Sequence, residues 1–412
     1  MIDHDIVVVG GGPAGMAAAV AAYDRGVHDV VVIDREESLG GVLKQCIHNG
    51  FGLHKLGREL TGPEYAYEYA QQVKARGIKV YSDTTVTSIT PDKLVTATSC
   101  RGILKIRAKA VILAMGCRER SRGALNICGT RPAGVYSAGT AQKLINCDGY
   151  MVGRRAVILG SGDIGLIMAR RMTLQGAKVE AVCEILPYSG GLTRNIVQCL
   201  EDYDIPLCLS TTVCEIHGRE RLEGVTVAQV DAQRNPIEST KKYIPCDTLL
   251  LSCGLIPENE LSLGAGVELD KVTGGAVVNQ HRQTSREGIF ACGNVLQVHD
   301  LVDHVFDEAE IAGAAAADYV LGRGADGSLI TAKAGSGVRY VLPQRVLASG
   351  EQVSLYLRVR EPAQKVDLVV RSGGRVIKTF PRLKVAPGEM ERLDIPVSLL
   401  DADELTVSVE VQ

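Results

Sequence analysis

Two glycine-rich loops with the same spacing constrain the fold of this chain more than any other feature. The first reads GGGPAG at residues 10–15, and the second reads GSGDIG at residues 160–165. Each loop follows a short run that is apolar throughout, which is typical of a strand buried on both faces of a parallel sheet. Each loop also precedes a helix-forming stretch and then a second apolar run. The repeat predicts two β-α-β units with similar loops.

The first loop has the spacing of a dinucleotide-binding fingerprint. Gly10 permits the tight turn, Gly12 lets the backbone approach a pyrophosphate, and Gly15 lets the helix pack closely on the strand. Asp34, 19 residues after Gly15, ends the next apolar run and can accept hydrogen bonds from ribose hydroxyls. The helix N-terminus offers free N–H groups to the phosphates. The predicted contacts of this loop are Gly10, Gly12, Pro13, Ala14, Gly15, Asp34 and Arg35.

The second loop repeats this arrangement, with Glu184 again 19 residues beyond the last glycine, Gly165. A carboxylate at this position binds the ribose hydroxyls of NAD and repels the additional phosphate of NADP. The next residues are Ile185, Leu186 and Pro187, without an arginine. The sequence therefore favours NAD(H), with NADP(H) or a retained but empty second domain as alternatives. The predicted contacts are Gly160, Gly162, Asp163, Ile164 and Glu184.

Composition excludes several other classes of protein. The net charge of the 412 residues is -3, without a long basic run, so we expect no nucleic-acid partner. The N-terminus runs directly into DIVVVGGG, and we expect a cytoplasmic protein without a signal peptide or membrane span. None of the twelve cysteines belongs to a C-x-x-C pair, so we predict no metal site and thiols that are mostly reduced and structural.

The fold class predicted from these patterns is α/β, with two Rossmann-like dinucleotide-binding domains and a small C-terminal all-β domain. After GRGADGS the chain alternates apolar and polar residues, as in VSLYLRVR and LTVSVEV, which favours antiparallel strands. We expect this tail to serve in docking and to pack either on the rest of the chain or on a partner. The predicted domains are 1–118 with 255–325, then 119–254, then 335–412.

Three further segments carry a family resemblance: GIFACGNV at 288–295, VILAMGCRER at 111–120 and LLLSCGLIPEN at 249–259. With the two loops, they make residues 1–322 similar to the pyridine nucleotide–disulfide oxidoreductase superfamily, in the size class of thioredoxin reductase. The resemblance implies that the first loop binds FAD and the second presents nicotinamide, with hydride passing between nicotinamide C4 and flavin N5. The family has aspartate where this chain has Asn294. The residues that the resemblance adds to the cofactor sites are Gly41, Ala114, Gly116, Gly254, Gly293 and Asn294.

The chain departs from the disulfide reductases of this superfamily. It lacks the C-x-x-C pair of thioredoxin reductase, and LGGVLKQCIHNGFGLH holds only Cys46. The runs GCRER, GVYSAGTAQ and QCIHNGFGL resemble a branch with the FAD/NAD subunits of opine oxidase and hydrogen cyanide synthase, dye-linked proline dehydrogenases, and dehydrogenases that accompany glycerol-3-phosphate dehydrogenase-type flavoproteins. This implies an NADH:acceptor oxidoreductase that works with a second flavoprotein or electron-acceptor subunit, with homo-oligomers also possible. A thioredoxin-reductase-like enzyme and a non-catalytic FAD-binding subunit remain alternatives.

Two groups of polar residues fall in segments that the resemblance places near the flavin. Cys46 and His48 follow the Gly40–Gly41 turn, and they either relay protons and electrons or only pack against the ring. His299, Asp300, Asp303 and His304 lie ahead of a predicted helix whose N-terminus, in the superfamily, points at the flavin pyrimidine and stabilises the anionic reduced form. Two histidines with two aspartates also suggest a metal, but no independent ligand cluster supports one.

Overall fold

The computed structural model describes residues 1–53, 55–324 and 327–411. These residues form two compact units. Unit 1 contains Met1–Cys117 and the chain from Pro257 onward, and unit 2 contains Arg118–Ile256. The predicted domain limits at residues 325 and 412 lie outside the described residues, and the division into three domains stays a prediction.

The first segment of unit 1 contains nine strands and two helices, counting a last strand that runs past Cys117. Its elements are β1 Ile2–Val9, α1 Pro13–Asp24, β2 Val30–Ile33, β3 Asn49–Phe51, β4 Leu60–Thr61, α2 Gly62–Ala75, β5 Lys79–Tyr81, β6 Thr85–Ile89, β7 Leu94–Ser99, β8 Gly102–Leu113 and β9 Cys117–Glu119.

Unit 2 begins with short elements and then repeats the strand–helix alternation. Its elements are α3 Arg122–Leu125, β10 Cys128–Gly129, β11 Val135–Ser137, α4 Ala138–Asn146, β12 Arg155–Leu159, α5 Asp163–Leu174, β13 Lys178–Cys183, α6 Thr193–Cys199, β14 Leu207–Cys208, β15 Thr211–Gly218, β16 Leu222–Gln229, β17 Lys242–Pro245, β18 Thr248–Leu251 and β19 Leu255–Pro257.

The chain then returns to unit 1 and ends in the tail. These elements are α7 Glu260–Gly264, β20 Ile289–Ala291, α8 Val302–Val320, β21 Leu329–Ala334, β22 Val338–Leu342, β23 Arg345–Leu347, β24 Gln352–Val359, β25 Ala363–Ser372, β26 Arg375–Val385, β27 Glu391–Pro396 and β28 Glu404–Val411. Short 3₁₀ turns cover Gly41–Gln45, Glu201–Tyr203, Glu238–Thr240, Gly293–Val295 and Val397–Leu399.

The main sheet of unit 1 has the order β5-β2-β1-β8-β7-β6, with β20 also paired to β8. Strands β1, β2, β5 and β20 run parallel to their neighbours, whereas β6, β7 and β8 pair in antiparallel fashion. Helices α1 and α8 pack on one face through small side chains, including Ala18 and Ala312, both fully buried. Alanine-to-alanine packing lets the two helices approach closely, and the carboxyl ends of β1 and β2 open beside the N-terminus of α1.

Unit 2 has a five-stranded parallel sheet with the order β11-β18-β12-β13-β14. One face of this sheet packs on α4 and α5 through residues such as Ile158 and Leu166. The other face packs on the four-stranded sheet β10-β15-β16-β17 through residues such as Val157 and Val225. The loop that precedes α5 therefore lies at the carboxyl end of a buried parallel strand, as the second glycine motif predicts.

The tail is a β-sandwich, with the sheets β23-β21-β28-β25-β26 and β22-β24-β27 enclosing their own apolar core. It also packs within unit 1, because Leu342 joins the buried cluster beneath the main sheet. Gln280 donates to Leu347 O at 2.9 Å and accepts from Leu347 N at 2.7 Å. The tail therefore packs on its own chain, which was one of the two expected arrangements. The predicted fold class, with two Rossmann-like sheets and a C-terminal all-β region, is confirmed.

Among the described residues, no helix combines the length and the hydrophobicity needed to cross a membrane.

Candidate functional site

The first glycine loop is built from contacts between backbone atoms. Gly10 has φ +106° and its N–H donates to Ile33 O at 2.8 Å. A Cβ atom at Gly15 would lie 1.7 Å from Gly10 O, so only glycine fits where α1 crosses the turn. Gly12 is the N-cap of α1, and Pro13 occupies its first turn, where a missing N–H costs nothing.

The Asp34 carboxylate binds the backbone of this loop. Its Oδ2 accepts a hydrogen bond from Gly11 N, and its Oδ1 accepts one from Glu36 N at 2.7 Å. A Cβ atom at Gly12 would meet no described atom closer than 3.9 Å, so the N-terminus of α1 faces space that a ligand can fill. The loop, the free helix N–H groups and the carboxylate fit the pyrophosphate and ribose of an adenine dinucleotide. Arg35, the other residue predicted here, is exposed.

The second loop reproduces this geometry. Gly160 has φ +100° and donates to Cys183 O at 2.7 Å, and a Cβ atom at Gly165 would lie 2.6 Å from Gly160 O. Glu184, 7% exposed, accepts hydrogen bonds at Oε2 from Ser161 N at 2.9 Å and Ser161 Oγ at 2.7 Å. The acid at the end of the second strand is thus bound to the residue after the first glycine, as Asp34 is in unit 1.

Two residues predicted to contact the second cofactor have other partners. Gly162 is the N-cap of α5, and Asp163 follows it as the first helical residue. Asp163 Oδ1 accepts from Leu192 N at 2.9 Å and from Asn195 Nδ2 at 2.6 Å, so its carboxylate fixes the start of α6. Ile164 is partly buried and packs against the apolar core behind α5. Both side chains therefore have structural partners, and their contact with a cofactor stays a prediction.

The GIFACGNV segment approaches the first loop. Gly293 has φ +74°, and a Cβ atom there would lie 2.7 Å from Ala14 Cβ. The Asn294 side chain holds neighbouring segments: its Nδ2 lies 3.6 Å from Cys117 Sγ, and its Oδ1 accepts from His299 N at 3.1 Å. The structure thus gives Asn294 two protein partners. Cys117, in the GCRER run, was not among the predicted site residues, and this contact connects it to the site.

Gly41 and Ala114 also converge on the first loop, as the family resemblance implies. A Cβ atom at Gly41 would lie 3.0 Å from Gly12 Cα, and Ala114 N donates to Val9 O at 2.9 Å. Gly116 follows closely and accepts from Glu258 N at 3.0 Å. Gly254 is different, because it belongs to unit 2, where its carbonyl accepts from Arg120 N at 3.1 Å.

Cys46 and His48 make contacts within their own segment. Cys46 Sγ donates to Val42 O at 3.4 Å, and His48 Nδ1 lies 3.0 Å from Asn49 O. The His48 ring also packs on Phe51 with a centroid separation of 5.0 Å. These contacts hold both side chains in place, and the two alternatives, packing against the ring or a relay, stay predictions.

Replacing Cys46 by serine is therefore expected to leave NADH-driven reduction of an artificial dye within about twofold of wild type. Serine keeps a donor for Val42 O, and hydride transfer from nicotinamide to a flavin needs no thiol. Steady-state diaphorase assays measure this, with Cys100→Ser, an exposed thiol of unit 1, as the matched control. Loss of flavin reduction with FAD still bound would make Cys46 a catalytic residue.

A buried charged cluster contacts the GIFACGNV segment, and the ion pair at its centre was not predicted from the sequence. Glu308 of α8 and Arg282 are each 1% exposed in their side chains, and Arg282 Nε lies 3.1 Å from Glu308 Oε1. Glu308 Oε2 accepts from Gly293 N at 3.0 Å and lies 2.9 Å from His299 Nε2. The only sequence signal is an acid among the buried positions of α8, beside Val305, Ala309 and Ala312.

The ionisation of Glu308 follows from its partners. Burial by itself would raise the pKa of this carboxyl, but the charges of His299 and Arg282 and the hydrogen bonds from His299 and Gly293 N outweigh it. The pKa falls to about 2 from its ordinary 4.5. Glu308 is thus a fixed negative charge that holds the backbone N–H of Gly293 in place.

The tail reaches the segment that precedes α8. Arg358 of β24 forms an ion pair with Asp300 and donates to Val298 O at 3.0 Å. Met390 N donates to Asp300 Oδ2 at 2.9 Å. Arg358 is 8% exposed, so the ion pair is shielded from water. In addition, Arg282 Cζ lies 5.4 Å from the centroid of the Tyr356 ring, which connects β24 to the Glu308 cluster.

The four residues considered for a metal do not come together. His299 contacts Glu308, Asp300 contacts Arg358, and Asp303 accepts from Tyr65 Oη at 2.7 Å. Over the described ranges, no group of three His, Cys, Asp or Glu side chains is arranged to hold a metal ion.

Comparisons with known proteins agree with this geometry. The model of the pyridine nucleotide-disulphide oxidoreductase family matches residues 4–316. One of the subunits of opine oxidase from Agrobacterium tumefaciens (strain Ach5) is 28% identical over 340 residues, which are 76% of this chain and 63% of that protein. The HcnB subunit of hydrogen cyanide synthase from Pseudomonas protegens is 26% identical over 315 residues, 70% of this chain and 65% of that protein. The chain thus spans less than two thirds of either relative.

Among solved structures, the thioredoxin reductase of T. acidophilum superposes with a TM-score of 0.63 at 25% identity. The match covers 78% of this chain and 99% of that one.

Proposed function

Because this chain belongs to the pyridine nucleotide-disulphide oxidoreductase family, whose members are FAD-dependent NAD(P)H oxidoreductases, we propose that it oxidises NADH through FAD and delivers the electrons to an acceptor subunit. The observation that carries the proposal is the matched construction of the two loops. In each unit a carboxylate at the end of the second strand binds the residue that follows the first glycine. The chain therefore has two loops with the backbone geometry and the carboxylate that a dinucleotide site requires.

We assign the first loop to FAD and the second to NAD(H). The first loop is supported by Gly41, Ala114 and Gly293, which approach it from three separate segments of unit 1. FAD, when bound, supplies the hydride acceptor that protein side chains lack. The chain's own residues position it: α1 offers N–H groups to the pyrophosphate, and Asp34 lies where ribose hydroxyls are bound.

The preference for NADH over NADPH rests on Glu184. Its carboxylate is held by Ser161 and by Leu186 N, which donates to Oε1 at 3.0 Å. A carboxylate held at this position accepts hydrogen bonds from ribose hydroxyls and repels a 2′-phosphate. No arginine among the next three residues offsets that charge.

The acceptor is proposed to be a second flavoprotein or another electron-accepting subunit, in a system that oxidises glycerol-3-phosphate, an opine or an amino acid. Two of the relatives are named as subunits of larger enzymes. The absence of a C-x-x-C pair from the sequence argues against the dithiol relay of thioredoxin reductase. We also infer that Cys46 and His48 hold the segment after the Gly40–Gly41 turn in place and take no part in proton or electron transfer.

Anaerobic mixing with NADH tests the proposal. We expect NADH to bleach the visible absorbance of the bound flavin several-fold faster than NADPH does, and stopped-flow absorbance measures both rates. If the flavin stays oxidised with either nucleotide, the chain is a non-catalytic FAD-binding subunit. A preparation that takes up no FAD on titration would remove the assignment of the first loop.

The same experiment on Glu184→Ala should narrow the preference for NADH, mainly because NADPH is no longer repelled. Glu201→Ala, which removes an exposed acid from the same unit, serves as the matched control and should keep the wild-type ratio. A wild-type preference for NADPH would show that the role given to Glu184 is wrong.

A further inference from the structure

Two cysteines are register partners at the edge of the parallel sheet in unit 2. Cys183 ends β13 and Cys208 ends β14, and the two residues are paired in the ladder between these strands. Neighbouring strands lie about 4.8 Å apart. This separation falls within the range of roughly 4.4–6.8 Å that Cα atoms span across a disulfide.

The two thiols lie on the same face of that sheet. Cys183 is fully buried in the cluster between the two sheets of unit 2, and Cys208 packs against this cluster while half-buried. The two thiols are near enough for each to shift the pKa of the other. Because β14 is an edge strand of only two residues, it can adjust its position without disturbing a second neighbouring strand in this sheet.

The thiols differ in reactivity. The hydrogen bond from Cys183 lowers the pKa of the Cys208 thiol, and the charge of Lys242 acts in the same direction, whereas burial opposes both. The pKa of Cys183 is raised, first by the hydrogen bond to Cys208 and then by burial. The same cluster holds Cys246, whose pKa is raised by burial to about 12. Cys208 is also the more exposed of the three thiols, so we assign it as the nucleophile, with Cys183 as its partner and the buried Cys246 as a poor competitor.

We propose that Cys183 and Cys208 form a reversible disulfide when the protein meets a hydroperoxide. Cys208 Sγ attacks one peroxide oxygen, the O–O bond breaks, and the departing oxygen takes up a proton, as water in the case of hydrogen peroxide. The resulting sulfenic acid is attacked by Cys183 Sγ, so the S–O bond breaks, the S–S bond forms and a water leaves. In total, two thiols lose two electrons and two protons, and one hydrogen peroxide becomes two waters.

The disulfide would form directly beside Glu184, the residue whose carboxylate we assign to NADH binding. Glu184 follows Cys183 directly, and Glu184 N donates to Cys208 O at 2.9 Å. Thr211 N then donates to Glu184 O at 2.8 Å, so β14 and the segment after it hold the backbone of Glu184 on both sides. Drawing β14 toward β13 displaces the carboxylate from Ser161 and weakens NADH binding. This consequence rests on the proposed function, whereas the disulfide does not.

The test uses reduced, FAD-loaded full-length protein treated with one equivalent of hydrogen peroxide, followed by alkylation and peptide mapping. We expect a loss of two titratable thiols, a crosslink between the peptides of Cys183 and Cys208, and full reversal by dithiothreitol. Cys208→Ser and Cys183→Ala should each abolish the crosslink. Cys100→Ser should retain it, as an exposed thiol of the other unit.

A crosslink between Cys183 and Cys246, or sulfinic acid on Cys208 with Cys183 still reduced, would overturn the proposal in wild-type protein. The mapping needs no NADH, so its outcome is readable even if the proposed function fails. The effect on the nucleotide site is measured as the KM for NADH in dye reduction, which should rise at least about threefold on oxidation and return on reduction. An unchanged KM with the crosslink in place would overturn the coupling to Glu184.

Discussion

Replacing Gly15 by alanine is expected to abolish FAD retention. The added Cβ atom would lie 1.7 Å from Gly10 O, and the two atoms belong to backbone segments that no side-chain rotation can separate. Either α1 moves away from the turn or the turn opens, and in both cases the N–H groups at the start of α1 leave their positions. Overpacking typically costs about 1–3 kcal/mol, and a backbone clash this close should lie at the upper end of that range. The flavin-to-protein absorbance ratio after gel filtration measures the effect.

Two further glycine substitutions serve as controls for the loss of FAD in Gly15→Ala. Gly324→Ala adds a Cβ with no described atom within 4 Å and should keep the wild-type flavin content. Gly165→Ala places a Cβ 2.6 Å from Gly160 O in unit 2, so it should keep FAD but impair reduction by NADH. Stoichiometric FAD in Gly15→Ala, or loss of FAD in Gly165→Ala, would contradict the assignment of the two loops.

Replacing Glu308 by glutamine is expected to be the most destabilising single change in the charged cluster. It leaves Arg282 buried without its carboxylate, and the loss of one partner from a buried ion pair costs about 3–5 kcal/mol. Urea titrations, monitored by flavin release and by circular dichroism, measure the change in free energy of unfolding. Glu310→Gln is the matched control on the same helix, because its partly exposed ion pair with Lys55 should be worth less than about 1 kcal/mol.

The same cluster sets the acid sensitivity of the protein. Glu308 has a pKa of about 2 in the folded state against an ordinary 4.5, so it binds a proton more readily when the chain unfolds. Its contribution is therefore complete above about pH 4.5 and is lost as the pH falls toward 2. The difference corresponds to about 3 kcal/mol. Unfolding free energies between pH 6 and pH 3 should fall less steeply in Glu308→Gln than in wild type, and equal slopes would contradict this account.

Local sequence signals were sufficient to predict the two loops, the acids that follow them and the fold class. The reason is that glycine spacing, strand hydropathy and the position of Asp34 or Glu184 all lie within one β-α-β unit. Asp163 shows the limit of this reasoning. Its carboxylate binds Leu192 and Asn195 about 30 residues later, which no local pattern reveals, and its contact with a cofactor stays a prediction.

The Glu308 cluster was beyond sequence reasoning for a related reason. Its members are Glu308 in α8, Arg282 and His299, and Arg282 precedes Glu308 by 26 residues. A charged residue on a helix usually faces solvent, so the pattern alone gives no sign that this one is paired and buried. The tail was predicted as β-structure from its alternation, but the alternation does not say that Arg358 pairs with Asp300 or that Tyr356 meets Arg282.

The division of unit 1 into two separated stretches of chain has a consequence for biosynthesis. Unit 2 is a continuous stretch, Arg118–Ile256, and all its strands have been made before β20 emerges from the ribosome. Unit 1 must wait, because β20 pairs with β8 through Val111 and Ile289, and Arg358 reaches Asp300 only once β24 exists. Domains generally fold as units during synthesis. We therefore expect unit 2 to complete its fold first, and unit 1 to complete its fold only after β24 has been made.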